Sequence, residues 1–406
     1  MAISNKYNLN LEALRGVAAV LVFFTHLTGP QGFINSNSIY LPRLVGAWGT
    51  EAVIIFFVLS GIVIHASFDK KPRANAGFLA NRIIRLHPIL ILAVALTVVV
   101  DSSILHHTIN TWQVIGNIIP VSSFNAALAP LYLNSNPVIW SLSFEMFFYM
   151  VFAIGGIYKT QINRKYLNAW FIISIICIIG YYCISSAIPI INYLLLMMAF
   201  SSIWLIGFFI WYIQGIYRSN IVSAVFSLCC LPLISRLHIT DNYYDPIKYL
   251  IFAISSIPFF IYLCQLGQGV SPAKKRNTLW LIITIACFLF SAGLLIMDHT
   301  YKNTLKATYI FLPFCALLFY SQYFKLLIKK IYYGVVLYPF SYIGKISYSI
   351  YLIHFPILVL IGQLAIPLYL KAILSVIVVL SISLLLENHF QPFIKNLFNK
   401  LRLKSA

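Results

Sequence analysis

Apolar residues run through this chain in long blocks separated by short polar segments, with no sustained strand-like alternation. Blocks of this length match the roughly 20 residues with which an α-helix crosses a bilayer. Twelve stand out, at 12–28, 50–68, 87–104, 138–157, 167–187, 193–214, 221–235, 247–265, 279–297, 305–321, 342–363 and 366–386. The seventh is short, and a break around Pro367 alone divides the last two. The pattern predicts ten to twelve transmembrane helices. Backbone polar groups in hydrocarbon must be satisfied within their own segment, so the expected fold is all-α, a polytopic integral membrane protein. The first block has no small-residue cleavage site and is expected to remain as a helix rather than leave as a signal peptide. At the other end, HFQPFIKNLFNKLRLKSA places Phe393, Leu397 and Leu401 at helical spacing opposite lysines, the pattern of an interfacial helix. The expected organisation is a membrane domain over residues 1–390 and a basic cytoplasmic tail over 391–406.

Composition agrees: 61% of the 406 residues are hydrophobic and 9% are charged, too little polar surface for a water-soluble protein. The net charge of +19 would suggest nucleic acid were it not for its distribution. With the N-terminus inside, the outer segments hold Arg43, Arg236, Lys248, Lys302, Lys306 and Lys371, and Arg15 lies within the first span. All other Lys and Arg residues fall on inner segments, while the loop from about 105 to 137 has none. This positive-inside asymmetry predicts both termini in the cytoplasm and identifies membrane lipids, not nucleic acid, as the partner of the basic excess.

The seven cysteines lie in or beside apolar spans without C-x-x-C spacing and read as small buried hydrophobes. His106 and His107 near Asp101 lack a clear third ligand, so no metal site is predicted. No phosphate-binding glycine pattern appears, which argues against an ATP-driven pump.

Ionisable side chains inside membrane spans are costly and point to function. Arg15 and His26 share the first span, and eleven steps of about 100° return them to one face, roughly 16 Å apart along the axis. Glu12, one turn before Arg15, can hold the guanidinium, and a neutral His26 imidazole can take a proton from a hydroxyl. In FLANRIIRLHP, Arg82 and Arg85 are three residues apart, a spacing suited either to clamping a phosphate or to membrane anchoring. In NPVIWSLSFEMFFYM, Glu145 stands four residues from both Ser141 and Tyr149, giving a polar stripe on one helix face. ISYSIYLIHFP adds Tyr348, Tyr351 and His354, where His354 suits packing and function equally. Ser60 and Gly61 in FFVLSG read as a close-packing pair.

Together, LRG followed by His26, FFVLSG, RIIRLHP, WSLSFE and ISYSIYLIHFP resemble the membrane-bound acyltransferase-3 family, in that family's motif order over residues 9 to 356. The resemblance implies an O-acyltransferase of the bacterial inner membrane that moves an acetyl group from cytoplasmic acetyl-CoA to an extracytoplasmic hydroxyl. The acceptor would be a lipid-linked or nascent cell-surface polysaccharide such as O-antigen, capsule or exopolysaccharide. It further implies that Arg15 and His26 are essential, that Arg82 and Arg85 serve the CoA side, and that Glu145 lies near the reaction centre. The expected mechanism makes His26 the base, with Glu145 orienting or charging its imidazole and Arg15 steadying the pantetheine or thioester end of CoA. The chain departs from the family pattern at Ala52, Val53 and Ile54, where a polar residue is usual, and at His87, where tyrosine is commoner. Many relatives carry a C-terminal esterase-like domain, and none is expected within these 406 residues. Acetyl versus another acyl group and the oligomeric state, homo-oligomer included, stay open. The alternative class is a secondary transporter or flippase, which accounts for the helices but not for the five ordered motifs.

Overall fold

The computed structural model describes residues 3–28, 48–70, 75–121, 132–155, 164–183, 189–235, 237, 244–266, 275–276, 282–283, 285–290, 293 and 332–404. They are overwhelmingly helical: α1 (Ile3–Thr28), α2 (Gly49–Lys70), α3 (Asn75–Val99), α4 (Thr111–Ile118), α5 (Trp140–Ile154), α6 (Arg164–Cys183) and α7 (Pro189–Ile216) come first. There follow α8 (Ile221–Ser235), α9 (Pro246–Ser255), α10 (Ile257–Gln265), α11 (Tyr338–Lys345), α12 (Ser347–Gly362), α13 (Leu368–Leu385) and α14 (Gln391–Lys404). Among the described residues, seven helical stretches are long and apolar enough to cross a membrane, or nine if each of two bent pairs is one span. The all-α membrane architecture is therefore as expected. Of the remaining expected spans, 305–321 lies outside the described residues and 279–297 is described only in fragments.

Three expected boundaries shift, each for a local reason. The span over 247–265 is broken at Ser256 and bends by 41° between α9 and α10. Pro258 supplies no N–H there to continue the ladder. The span over 342–363 begins instead at Ser347, after a 75° bend from the stretch Tyr332–Lys345. At that bend the Ser347 hydroxyl donates to the Gly344 carbonyl at 2.7 Å, satisfying an acceptor that the helix end leaves open. The last span does not stop near 386, because a π-helical segment, Leu386–Phe390, carries α13 into α14.

The chain forms two compact units. The first comprises Met1–Arg15, Ile54–Asp69 and Ala199–Tyr342. In it Phe57 of α2 meets Phe200 of α7 edge-to-face, and the Trp204 indole donates to Ser60 Oγ at 3.2 Å. Gly61 of α2 faces the backbone of Trp204 and Phe208, while Gly207 of α7 faces the backbone of Val58. The two helices thus touch main chain to main chain, and a Cβ at either glycine would sit closer to the opposing backbone than real atoms do. Gly61→Ala should accordingly lower the thermal midpoint in detergent, with a cost of about 1–3 kcal/mol for overpacking and more for any larger residue. Two short strands, β1 (Tyr217–Arg218) and β2 (Lys275–Arg276), pair in parallel and bring together two basic segments that the charge pattern assigns to one membrane face.

The second unit comprises Gly16–Val53, Lys70–Met198 and Ile343–Ala406. α3 is its hub, packing against α4, α5, α12 and α14, while α12 also packs along α13. Phe144, Phe148 and Phe152 on α5 and Ile89 and Leu90 on α3 are sealed in this core. Buried Asn136 joins α3 to α12, donating to Thr97 Oγ1 at 3.1 Å and to the Leu352 carbonyl at 2.9 Å. Ile373, Ile377 and Leu385 on α13 stay exposed, which suits a helix whose outer side faces lipid rather than water.

Candidate active site

Arg15 and His26 of α1 fall in different units. In the first unit Arg15 donates through Nη1 to Glu12 Oε1 at 3.0 Å, the one-turn pairing expected from spacing. Both side chains are about a quarter exposed, and Glu12 Oε2 is buried without a partner among the described residues.

In the second unit His26 is held from both sides of its Nδ1. The Val22 carbonyl lies 3.1 Å away, and His354 Nε2 approaches to 3.0 Å. The two imidazoles are 5.1 Å apart by centroid, and Phe355 packs edge-on against His26 at 5.2 Å. His354 is fully buried, walled by Phe23 and Tyr351, with its Nδ1 at 3.0 Å from the Ile350 carbonyl. His26 itself is half-buried, and its Nε2 makes no hydrogen bond among the described residues. A partly accessible imidazole with an uncommitted nitrogen can accept a proton from an incoming hydroxyl.

Glu145 is engaged along its own helix. Tyr149, one turn on, donates its hydroxyl to Glu145 Oε1 at 2.5 Å, so the stripe read along α5 closes on itself. The side chain that bonds the His26 ring is His354, which the sequence left undecided. Ser141, at the other end of the stripe, bonds the Tyr351 hydroxyl at 2.7 Å, and Tyr351 also donates to the Val138 carbonyl at 2.8 Å. A file of polar side chains on α5 and α12 therefore leads from His354 through Tyr351 and Ser141 toward Glu145 and Tyr149.

At the far end of that file stand the two arginines of α3, and their surroundings differ. Arg85 is engaged, with Nη1 and Nη2 donating to the two Glu387 oxygens at 2.5 and 3.2 Å. The Glu387 side chain is only 5% exposed and also accepts from Ser349 Oγ at 3.2 Å, so this carboxylate is a fixed anchor. Arg85 further lies over the Tyr348 ring at 5.8 Å, and Tyr348 donates to the Leu86 carbonyl at 2.8 Å. Arg82 instead sits over the faces of Phe78 and Tyr149 at 5.5 and 5.6 Å, and its buried Nε has no hydrogen-bond partner among the described residues. Aromatic faces hold a guanidinium in place without consuming its in-plane donors. Arg82 thus fits a phosphate ligand better than Arg85 does.

Sequence reading passed over Glu387, and the signal for it was present. The chain has nine acidic residues in all, and this one closes an apolar span amid a basic tail. Among the described residues no group of three His, Cys, Asp or Glu side chains gathers to hold a metal. Asp101 is buried against Ser135 Oγ at 2.5 Å, with His107 Nδ1 at 3.7 Å. Compared with known proteins, the chain matches the family described as acyltransferase domain, acyltransferase type 3, over residues 8–387. No curated protein and no solved structure matches it.

Proposed function

Since the chain belongs to the acyltransferase-3 family, we propose that it is a multi-pass O-acyltransferase of the bacterial inner membrane that transfers acetyl from cytoplasmic acetyl-CoA to a hydroxyl of an extracytoplasmic cell-surface polysaccharide. The observation that carries the reading is the His26 imidazole, steadied at Nδ1 and uncommitted at Nε2. The acceptor hydroxyl gives its proton to Nε2 as its oxygen bonds to the thioester carbonyl carbon. The C–S bond then breaks, and the CoA sulfur takes the proton back from the imidazolium. No dedicated nucleophile stands out, so direct transfer is the simplest course.

On the donor side, the Arg82 guanidinium receives CoA phosphate, supported by its uncommitted Nε and its two aromatic faces. Arg85 acts mainly through Glu387, fastening α3 to the π-helical segment that precedes α14. Arg15, held by Glu12, supplies a second positive group for the donor, as the family resemblance implies. Both termini lie in the cytoplasm in this reading. Residues 391–406 form an interfacial tail there, supported by the exposed Phe393 and Leu397 among lysines. NMR of surface polysaccharide from strains with and without the gene tests the assignment. The acetyl signals should vanish without the gene and return with wild type but not with His26→Ala. A polysaccharide unchanged by deletion would refute it.

A further inference from the structure

The geometry points to His354 as the positioning residue that fixes the tautomer of His26, leaving the lone pair on Nε2. The inference rests on His26 being the base, but its structural part stands on three contacts alone. His354 Nδ1 faces the Ile350 carbonyl at 3.0 Å, and a carbonyl oxygen can only accept, so that nitrogen carries the hydrogen. His354 is fully buried among apolar groups, where a second proton would leave an unpaired charge, so its Nε2 is a lone pair. That lone pair lies 3.0 Å from His26 Nδ1, which must therefore be the donor. The Val22 carbonyl, 3.1 Å from the same Nδ1, demands the same answer.

The opposite assignment keeps the bond between the two rings but fails at both backbone carbonyls. A proton on His354 Nε2 instead of Nδ1 would turn a lone pair toward the Ile350 carbonyl, and a bare His26 Nδ1 would turn one toward Val22. Only one neutral pair of tautomers turns no lone pair toward a carbonyl, with the His26 Nδ1–H shared between Val22 and His354. Two consecutive N–H groups then run from His26 to His354 and from His354 to Ile350, and the one remaining basic nitrogen is His26 Nε2.

The arrangement does for this base what a buried carboxylate does for a catalytic histidine elsewhere, without placing a negative charge in the membrane. As Nε2 gains a proton, the Nδ1–H bond to a neutral acceptor strengthens and stabilises the imidazolium. His354 touches neither substrate and acts through His26.

Two variants separate this role from packing. His354→Gln puts an amide oxygen near the position of Nε2, preserving the acceptor, whereas His354→Phe fills the space and removes it. With labelled acetyl-CoA and extracted acceptor glycolipid, His354→Phe should lower kcat by about 10²-fold or more with the KM for acetyl-CoA unchanged. His354→Gln should retain kcat within about tenfold. Equal kcat in the two variants, or a change confined to KM, would overturn the inference. If His26→Ala retains activity, the base assignment fails instead, a distinct outcome. Nitrogen-15 NMR of histidine-labelled protein in detergent, with His26→Ala identifying the His26 signals, reads the tautomer without turnover. A proton on Nδ1 with bare Nε2 is expected, and a proton on Nε2 with bare Nδ1 would overturn the inference even if neither His354 variant folds.

Discussion

Replacing His26 with alanine should lower acyl transfer by about 10²–10⁴-fold, the usual contribution of a positioned general base. The variant also strips His354 Nε2 of its partner, and a buried unsatisfied acceptor costs about 1–3 kcal/mol. Stability therefore has to be followed alongside activity. Thermal melting in detergent should show a modest fall in midpoint, with the protein still folded at the assay temperature. His26→Gln, which can keep an amide donor toward His354, should melt closer to wild type and yet be nearly as inactive. Such a pair of results would separate loss of the base from loss of the fold.

The second large effect divides the two arginines of α3, which their sequence spacing presents as equivalent. Arg82→Ala should raise the KM for acetyl-CoA about tenfold to a hundredfold, the scale of one or two charge-assisted hydrogen bonds to phosphate. Its effect on melting should be small, because the aromatic faces of Phe78 and Tyr149 stay buried against other neighbours. Arg85→Ala should do the reverse. It leaves Glu387, with its side chain 5% exposed, without its cation, at a cost of about 1–3 kcal/mol. This is less than for a fully sealed pair because the Arg85 side chain is 40% exposed. Arg85→Ala combined with Glu387→Ala should cost less than the sum of the two single changes, as expected of residues in contact. Titration calorimetry with acetyl-CoA and melting in detergent would distinguish the roles. Equal losses of affinity in both single variants would contradict the division.

Much of this was legible along the chain, because apolar periodicity and costly intramembrane charges are local signals. The helices, the Glu12–Arg15 pair and the Ser60–Gly61 contact all follow from spacings of one to a few turns. The site's decisive contacts are not local. His354 reaches His26 across a separation of 328 residues, and Glu387 reaches Arg85 across 302. No periodicity carries such pairings, so Glu145 stood in the sequence reading where His354 stands in the structure. Tyr149, at i+4, bonds the Glu145 carboxylate within its own helix. The break at Ser256 had a visible marker in Pro258, while the continuation of α13 into α14 had none, since a π-helical segment keeps the chain helical with only its register changed.

The most direct test uses purified protein in sealed vesicles, with labelled acetyl-CoA outside and polysaccharide lipid from the deletion strain inside. Protein oriented with its cytoplasmic face outward should place label on hydroxyls of the enclosed glycan. That transfer should depend on acetyl-CoA and collapse with His26→Ala. Transfer that persists undiminished in His26→Ala, or movement of glycan across the membrane with no acetyl group gained, would contradict the account.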